Sequence, residues 1–148
     1  MRTVLVFNMK GSDFMKSIYN CFVLYDTFGD DFNFIGSEID CVRSETFAGR
    51  LSMDIITDHD VKKPSPRWKE WEKVSVTLDF FGVREMHTKV VSGKFIVKEF
   101  TVESDKNSYI MKIVSENGDF IVAVFGTKGL VQNIKPISMT EEDDVTDN

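Results

Sequence analysis

The chain is poor in the residues from which small catalytic and metal sites are usually built. It has two cysteines, Cys21 and Cys41, and two histidines, His59 and His87, in 148 residues. A structural metal site needs four such ligands at close spacing, so no metal is expected. Two isolated thiols make no disulfide framework and are read as buried and reduced. No apolar run approaches the roughly 20 residues of a membrane span, and no membrane partner is expected. The opening MRTVLVFNMKGSDF has a short apolar run but lacks the longer stretch and cleavage site of a signal peptide. The expected compartment is the cytoplasm. There is also no phosphate-cradling glycine loop, no Walker lysine and no nucleophile elbow, so neither a cofactor nor catalysis is expected.

The remaining candidates for chemistry have simpler readings. His59 sits in Asp58-His59-Asp60, but three adjacent loop residues do not easily converge on one ion. The motif reads as a solvated loop; for a hydrolase without a motif, His59 would be the first residue to change. His87 is read as a sheet residue. The pair Asp30-Asp31 would need one acid held in apolar surroundings and the other ionised to act as acid and base. Consecutive acids after a helix are more simply solvated.

What the chain does have is apolar and aromatic content for a core, 42% and 12% respectively with 13 Phe, and a pattern that places them. From Pro64 a proline-bounded loop delivers Trp68 and Trp71, after which Val74, Val76, Leu78 and Phe80 alternate with Ser75, Thr77 and Asp79. Strict alternation marks one face of a half-buried strand. The spacing predicts Lys73 to Phe81 as the central strand, with Trp68, Val74, Val76, Leu78 and Phe80 as its structural anchors.

Upstream, Ile18, Phe22, Tyr25 and Phe28 form a helical stripe, capped by Asp13 or Ser17 and stopped at Gly29. Arg2 to Phe7 is either an extra edge strand or a leader. Further strands are predicted at Glu38 to Arg43, Ala48 to Thr57, Val83 to Val90, Lys94 to Val102, Tyr109 to Val114, Phe120 to Phe125 and Leu130 to Ile134. Turns fall at Gly82, Ser92-Gly93, Asp105 to Ser108, Asn117-Gly118 and Gly126 to Gly129. The fold class is therefore α+β, mostly β: one N-terminal helix on a largely antiparallel sheet that forms a sandwich or open barrel. Residues 1–14 are an N-terminal extension or edge strand, 15–138 a single globular domain, and 139–148 a disordered acidic tail.

Charge is uneven along the chain. The net charge of −6 owes most to five acids after Thr140. Between Cys21 and Asp60 there are nine acids against Arg43 and Arg50 alone, whereas Val61 to Phe100 carries nine bases against five acids. Asymmetry of this kind concerns partners rather than fold. The acidic half offers a candidate partner-binding surface of Asp26, Asp30, Asp31, Glu38, Asp40 and Glu45, with Asp58 and Asp60 at its rim. Such a surface suits a basic partner, for instance the positive groove of a nuclease. From a different class, Trp68 and Trp71 among Lys62, Lys63, Arg67, Lys69 and Lys73 suggest a small-ligand or nucleic-acid binding β-domain. The acidic overall charge and the interrupting Glu70 and Glu72 weigh against nucleic acid.

These features together resemble the immunity protein 50 family of bacterial polymorphic-toxin and contact-dependent inhibition systems. The resemblance rests on the helix ending in YDTFGDDFNF, the PSPRW loop, the strand VSVTLDF followed by Phe81-Gly82-Val83, and a C-terminal hairpin ending near Ile134. It spans about Met15 to Ile137, with Trp71 an additional tryptophan where the family pattern carries one. It implies a cytoplasmic protein that binds and neutralises a cognate toxin stoichiometrically. It implies no catalysis and carries over no residue-level binding site.

Overall fold

The structure of the protein, a computed structural model, describes residues 3–6, 17–91 and 93–138, the first four as backbone alone. It is mostly β. The strands are β1 (Thr3–Val6), β2 (Ile18–Tyr19), β3 (Glu38–Glu45), β4 (Arg50–Thr57), β5 (Lys73–Lys89), β6 (Phe95–Asp105), β7 (Ser108–Ser115) and β8 (Phe120–Ile137), with one helix, α1 (Phe22–Phe28), between β2 and β3. All eight strands belong to one sheet. Its pairings run β3–β4–β5–β8–β7–β6 and return to β3, so the hydrogen-bonded circuit closes into an open barrel. Every pairing is antiparallel except the short β2–β8 contact. Thr3–Val6 pairs antiparallel with β6 at one end of the strand order. The remainder of residues 1–14, Asp13 with it, and the tail 139–148 lie outside the described residues.

Alternation sets the inside of the barrel. Val74, Val76, Leu78 and Phe80 on β5 face Leu51, Met53 and Ile55 of β4, and all seven are buried. Met111, Ile113, Ile121, Ala123 and Phe125 continue that core along β7 and β8. A fully buried aliphatic or phenyl side chain is worth roughly 1.5–3 kcal/mol, so this interior is the main source of stability. Trp68 and Trp71 are half-buried against its rim. The opposite face of β5 is not the solvated one its sequence suggests: Ser75 and Asp79 are buried as well.

Two expected turns prove to be bends. β5 runs unbroken through Gly82, and β8 runs unbroken through Gly126 to Gly129. The two sites lie opposite one another. Phe81 pairs with Lys128 and Val83 with Phe125, so β8 carries an extra residue there; the next step, Val83 to Glu85 against Phe125 to Val124, gives β5 an extra residue in return. Bulges bend strands and increase twist. Gly82 has φ +70°, and a Cβ there would stand 2.9 Å from the Thr127 amide nitrogen. Gly129 is wedged between Ile18 of β2 and Phe80 of β5, where a Cβ would meet both at 2.9–3.1 Å. The bend lets the first half of β5 pair with β4 and carries its second half past the end of β4.

The helix is shorter than its stripe predicts. Ile18 belongs to β2, and α1 starts after Cys21, which makes no side-chain cap; Ser17 precedes β2 rather than α1. Phe22 is 55% exposed, and the buried positions are Cys21, Leu24, Thr27 and Phe28. The turn of the helix is thus rotated from the predicted face, because the β2 contact with β8 fixes where the helix begins. Gly29 does end it, at φ +103°.

Replacing Gly82 by alanine adds both left-handed strain and a clash with backbone, so a loss of about 2–4 kcal/mol is expected in urea unfolding. Gly36→Ala (φ +87°, no neighbour within 4 Å) should cost only about 1 kcal/mol.

Candidate functional site

The end of the barrel where β4 leaves is built on phenylalanines. In the segment after α1, Phe28, Phe32 and Phe34 are buried while Asp30, Asp31 and Ile35 are exposed. Phe28 and Phe32 stack at 4.3 Å, Phe32 meets Phe34 edge-on at 5.0 Å, and Phe34 stacks on Phe100 of β6 at 5.7 Å. The buried rings fix the intervening acids on the outside. The carbonyl of Thr27 near the end of α1 accepts from the amides of Lys62 and Lys63, at 2.7 and 3.3 Å, which ties the loop after β4 to the helix.

His59 in that loop is a packing residue rather than a solvated one. Its ring stands edge-on to Phe28 and Phe32, with centroids 6.1 and 5.0 Å away, and its amide donates to Thr57 Oγ1 at 3.1 Å. Asp58 and Asp60 flank it and are exposed. His87, by contrast, is exposed on β5, with Nε2 3.6 Å from Glu85. No group of three metal-ligating side chains converges among the described residues.

Asp26, on α1, together with Asp30, Asp31, Asp58 and Asp60, therefore belongs to one end of the molecule, with Lys62 alongside Asp31 next to Gly29. Glu38 lies at the same end, because it pairs with Ile56, two residues before Asp58. Asp40 is the bulged residue of β3, between the Ile39–Ile55 and Cys41–Asp54 pairs. Glu45 is not gathered with them. It lies seven residues farther along β3 than Glu38, roughly 23 Å at strand spacing, and its carboxylate is 3.6 Å from Arg50.

Sequence reasoning missed a polar ladder on the outer face of β3, β4 and β5. Arg43 donates to both oxygens of Asp54, at 2.8 and 3.1 Å, and to Ser52 Oγ at 3.0 Å. Ser52 donates to Asp79 at 2.5 Å, and Asp79 accepts from Arg50 at 2.8 Å. Thr77 donates to Asp54 at 2.7 Å. Asp79 is only 1% exposed, and a buried carboxylate left without its partners is costly. Arg43 and Arg50, the two bases of the acidic half, are thus both committed within the sheet. The signal was present in the polar positions of two adjacent strands, Ser52 and Asp54 beside Thr77 and Asp79, whose register places them opposite one another. The guanidinium of Arg43, followed by the hydroxyl of Thr77, holds the Asp54 carboxyl below the usual carboxylate range, against a smaller opposing effect of burial. Burial pushes the Tyr25 phenol well up, helped by Cys21 and Asp30, and keeps it protonated.

Trp68 and Trp71 meet edge-to-face at 5.4 Å. Packed on each other and on the core, their rings are partly withdrawn from use as a stacking platform.

A family model described as Immunity protein 50 matches residues 20–136. No curated protein and no solved structure matches the chain.

Because the Asp54 carboxyl titrates lower folded than unfolded, its ladder contributes stability above the unfolded carboxylate value near pH 4 and loses it as pH falls through the depressed folded value. Asp54→Asn should cost about 1–2 kcal/mol at pH 7 in chemical denaturation. The gap to the unaltered protein should close as the solution is acidified below about pH 4.

Proposed function

Because the chain belongs to the Immunity protein 50 family, we propose that it binds a cognate bacterial toxin and neutralises it as a stoichiometric complex, in the cytoplasm and without catalysis. The family match over residues 20–136 is the observation that carries this reading. The contact surface we assign is the acidic end: Asp26, Asp30, Asp31, Asp58 and Asp60, continuing onto β3 through Glu38 and Asp40. Five exposed acids held outward by a rigid phenylalanine base suit a basic surface, since preorganised complementary charge raises the association rate and disfavours wrong partners. Glu45, at the far end of β3 and facing Arg50, belongs at the margin of that surface.

The test is co-production with the C-terminal domain of a large secreted protein encoded immediately upstream. The expected result is rescue of growth and a one-to-one complex; toxicity unrelieved by this chain would overturn the reading. Reversing charge at Asp30 and Asp31 to lysine should weaken the complex at least roughly tenfold, about 1.4 kcal/mol. Association should slow steeply with added salt, as contacts between exposed charges are screened. The melting temperature should hardly move, since both side chains are exposed. Unchanged affinity would remove the acidic end from the interface.

A further inference from the structure

The barrel is missing part of its wall. β3 pairs with β6 only at Glu38 and Ile39, then parts from it at the Asp40 bulge. From Asp40 to Glu45 one edge of β3 has no strand partner among the described residues. Bordering the gap are Val90, just past β5, and Ile121 of β8, which pairs with Thr88 of β5. Beyond Phe81 β5 has outrun β4, so from Arg84 to Lys89 it too has a strand partner on one edge only. The slot is closed below where the amide of Val83 donates to the carbonyl of Gly49 at 2.9 Å, in the β3–β4 turn. Above, Val90, Gly93 and Lys94 line it, and the Val91 amide donates to the buried carboxylate of Asp119 at 3.3 Å.

Side-chain burial shows the same gap independently. Val42 and Ser44 share the inner face with their partners Met53 and Leu51, which are fully buried. Yet Val42 is 38% exposed and Ser44 is exposed. On β5, Thr88 shares the inner face with fully buried Ile121 and is also exposed. A cavity of about 340 Å³ opens there, lined by Ile39, Val42, Val90, Phe95 and Ile121 among others.

An unpaired strand edge is a template for another strand, and natural proteins normally block it with lysine, proline or a covering segment. The β3 sequence from Glu38 to Glu45, EIDCVRSE, contains neither lysine nor proline. Its single base, Arg43, is already tied to Asp54. A second copy of this chain would set acids against acids along that edge. An extended segment carrying bases would not.

We propose that the slot receives an extended segment of the toxin, which adds as a strand along the Asp40–Glu45 edge of β3. Its apolar side chains would enter the cavity beside Val42, and its basic ones would meet Glu38, Asp40 and Glu45. Main-chain pairing supplies affinity and the pocket supplies selectivity, as in strand-addition complexes generally. The inference rests on the toxin-binding reading and names the part of this chain that would do the holding.

The experiment is amide hydrogen exchange on the full chain, alone and with the C-terminal domain of the secreted protein encoded immediately upstream. Strand addition should slow exchange of outward-pointing amides between Asp40 and Glu45 at least roughly tenfold, which side-chain contact alone would not do. Val42→Asp should weaken the complex at least roughly tenfold and leave the melting temperature within a few degrees, since Val42 is already partly exposed. A complex that forms while these amides exchange as in the free chain would overturn the slot and leave the toxin-binding reading standing. Failure of the unaltered chain to bind would overturn both. Slowing already present in the free chain and lost on dilution would assign the edge to a second copy and overturn the proposal.

Discussion

The close approach of β5 and β8 at Gly82 and Thr127 is the constraint on which this architecture depends. A long two-stranded ribbon with regular pairing would remain beside the same neighbours along its whole length. Offset bulges let it bend instead, so β5 leaves β4 while β8 takes up β7. That exchange of neighbours closes the barrel through β7 and β6. It also leaves the second half of β5 with one bare edge. Closure and opening are two results of the same bend, and only a residue without a side chain permits the approach at Gly82.

The acidic half acquires its character in a similarly indirect way. Its two arginines are spent internally, Arg43 on Asp54 and Arg50 on Asp79. The exposed acids outside this ladder are left for the surface, where the Phe28, Phe32 and Phe34 base sets the direction of Asp30 and Asp31. The charge asymmetry seen in the sequence is therefore sharpened by folding, since the bases that might have offset it face the sheet.

Much of the architecture was legible in the residues. Alternation identified the inner face of β5 and β4, Asn117-Gly118 marked the β7–β8 turn, and Gly29 the end of the helix. The glycine sites at 82 and 126–129 were misread because glycine signals a turn and a bulge equally. Only the partner strand decides between them, and that partner is distant in sequence. Ser75 and Asp79 looked solvated because alternation reports polarity, whereas polar residues bury readily when the adjoining strand supplies partners. His59 looked exposed because a loop rich in charge conceals the two rings it rests on. The acidic candidates were legible as a composition, but their division between one end of the barrel and the length of β3 depended on pairing register. The unpaired edge left no sequence signal, being defined by what a neighbouring strand does not reach.

The order in which the barrel is assembled follows from its pairings. Lys73 meets Ile137 and Lys89 meets Phe120, so the central ribbon is made from segments separated by two intervening strands. Hairpins such as β3–β4 and β7–β8 join at short range, whereas that ribbon must close a long loop first. Small domains ruled by distant contacts of this kind fold in roughly milliseconds to seconds rather than microseconds. Closing the circuit therefore carries the entropy of bringing a long loop round, a cost that the local hairpins do not bear.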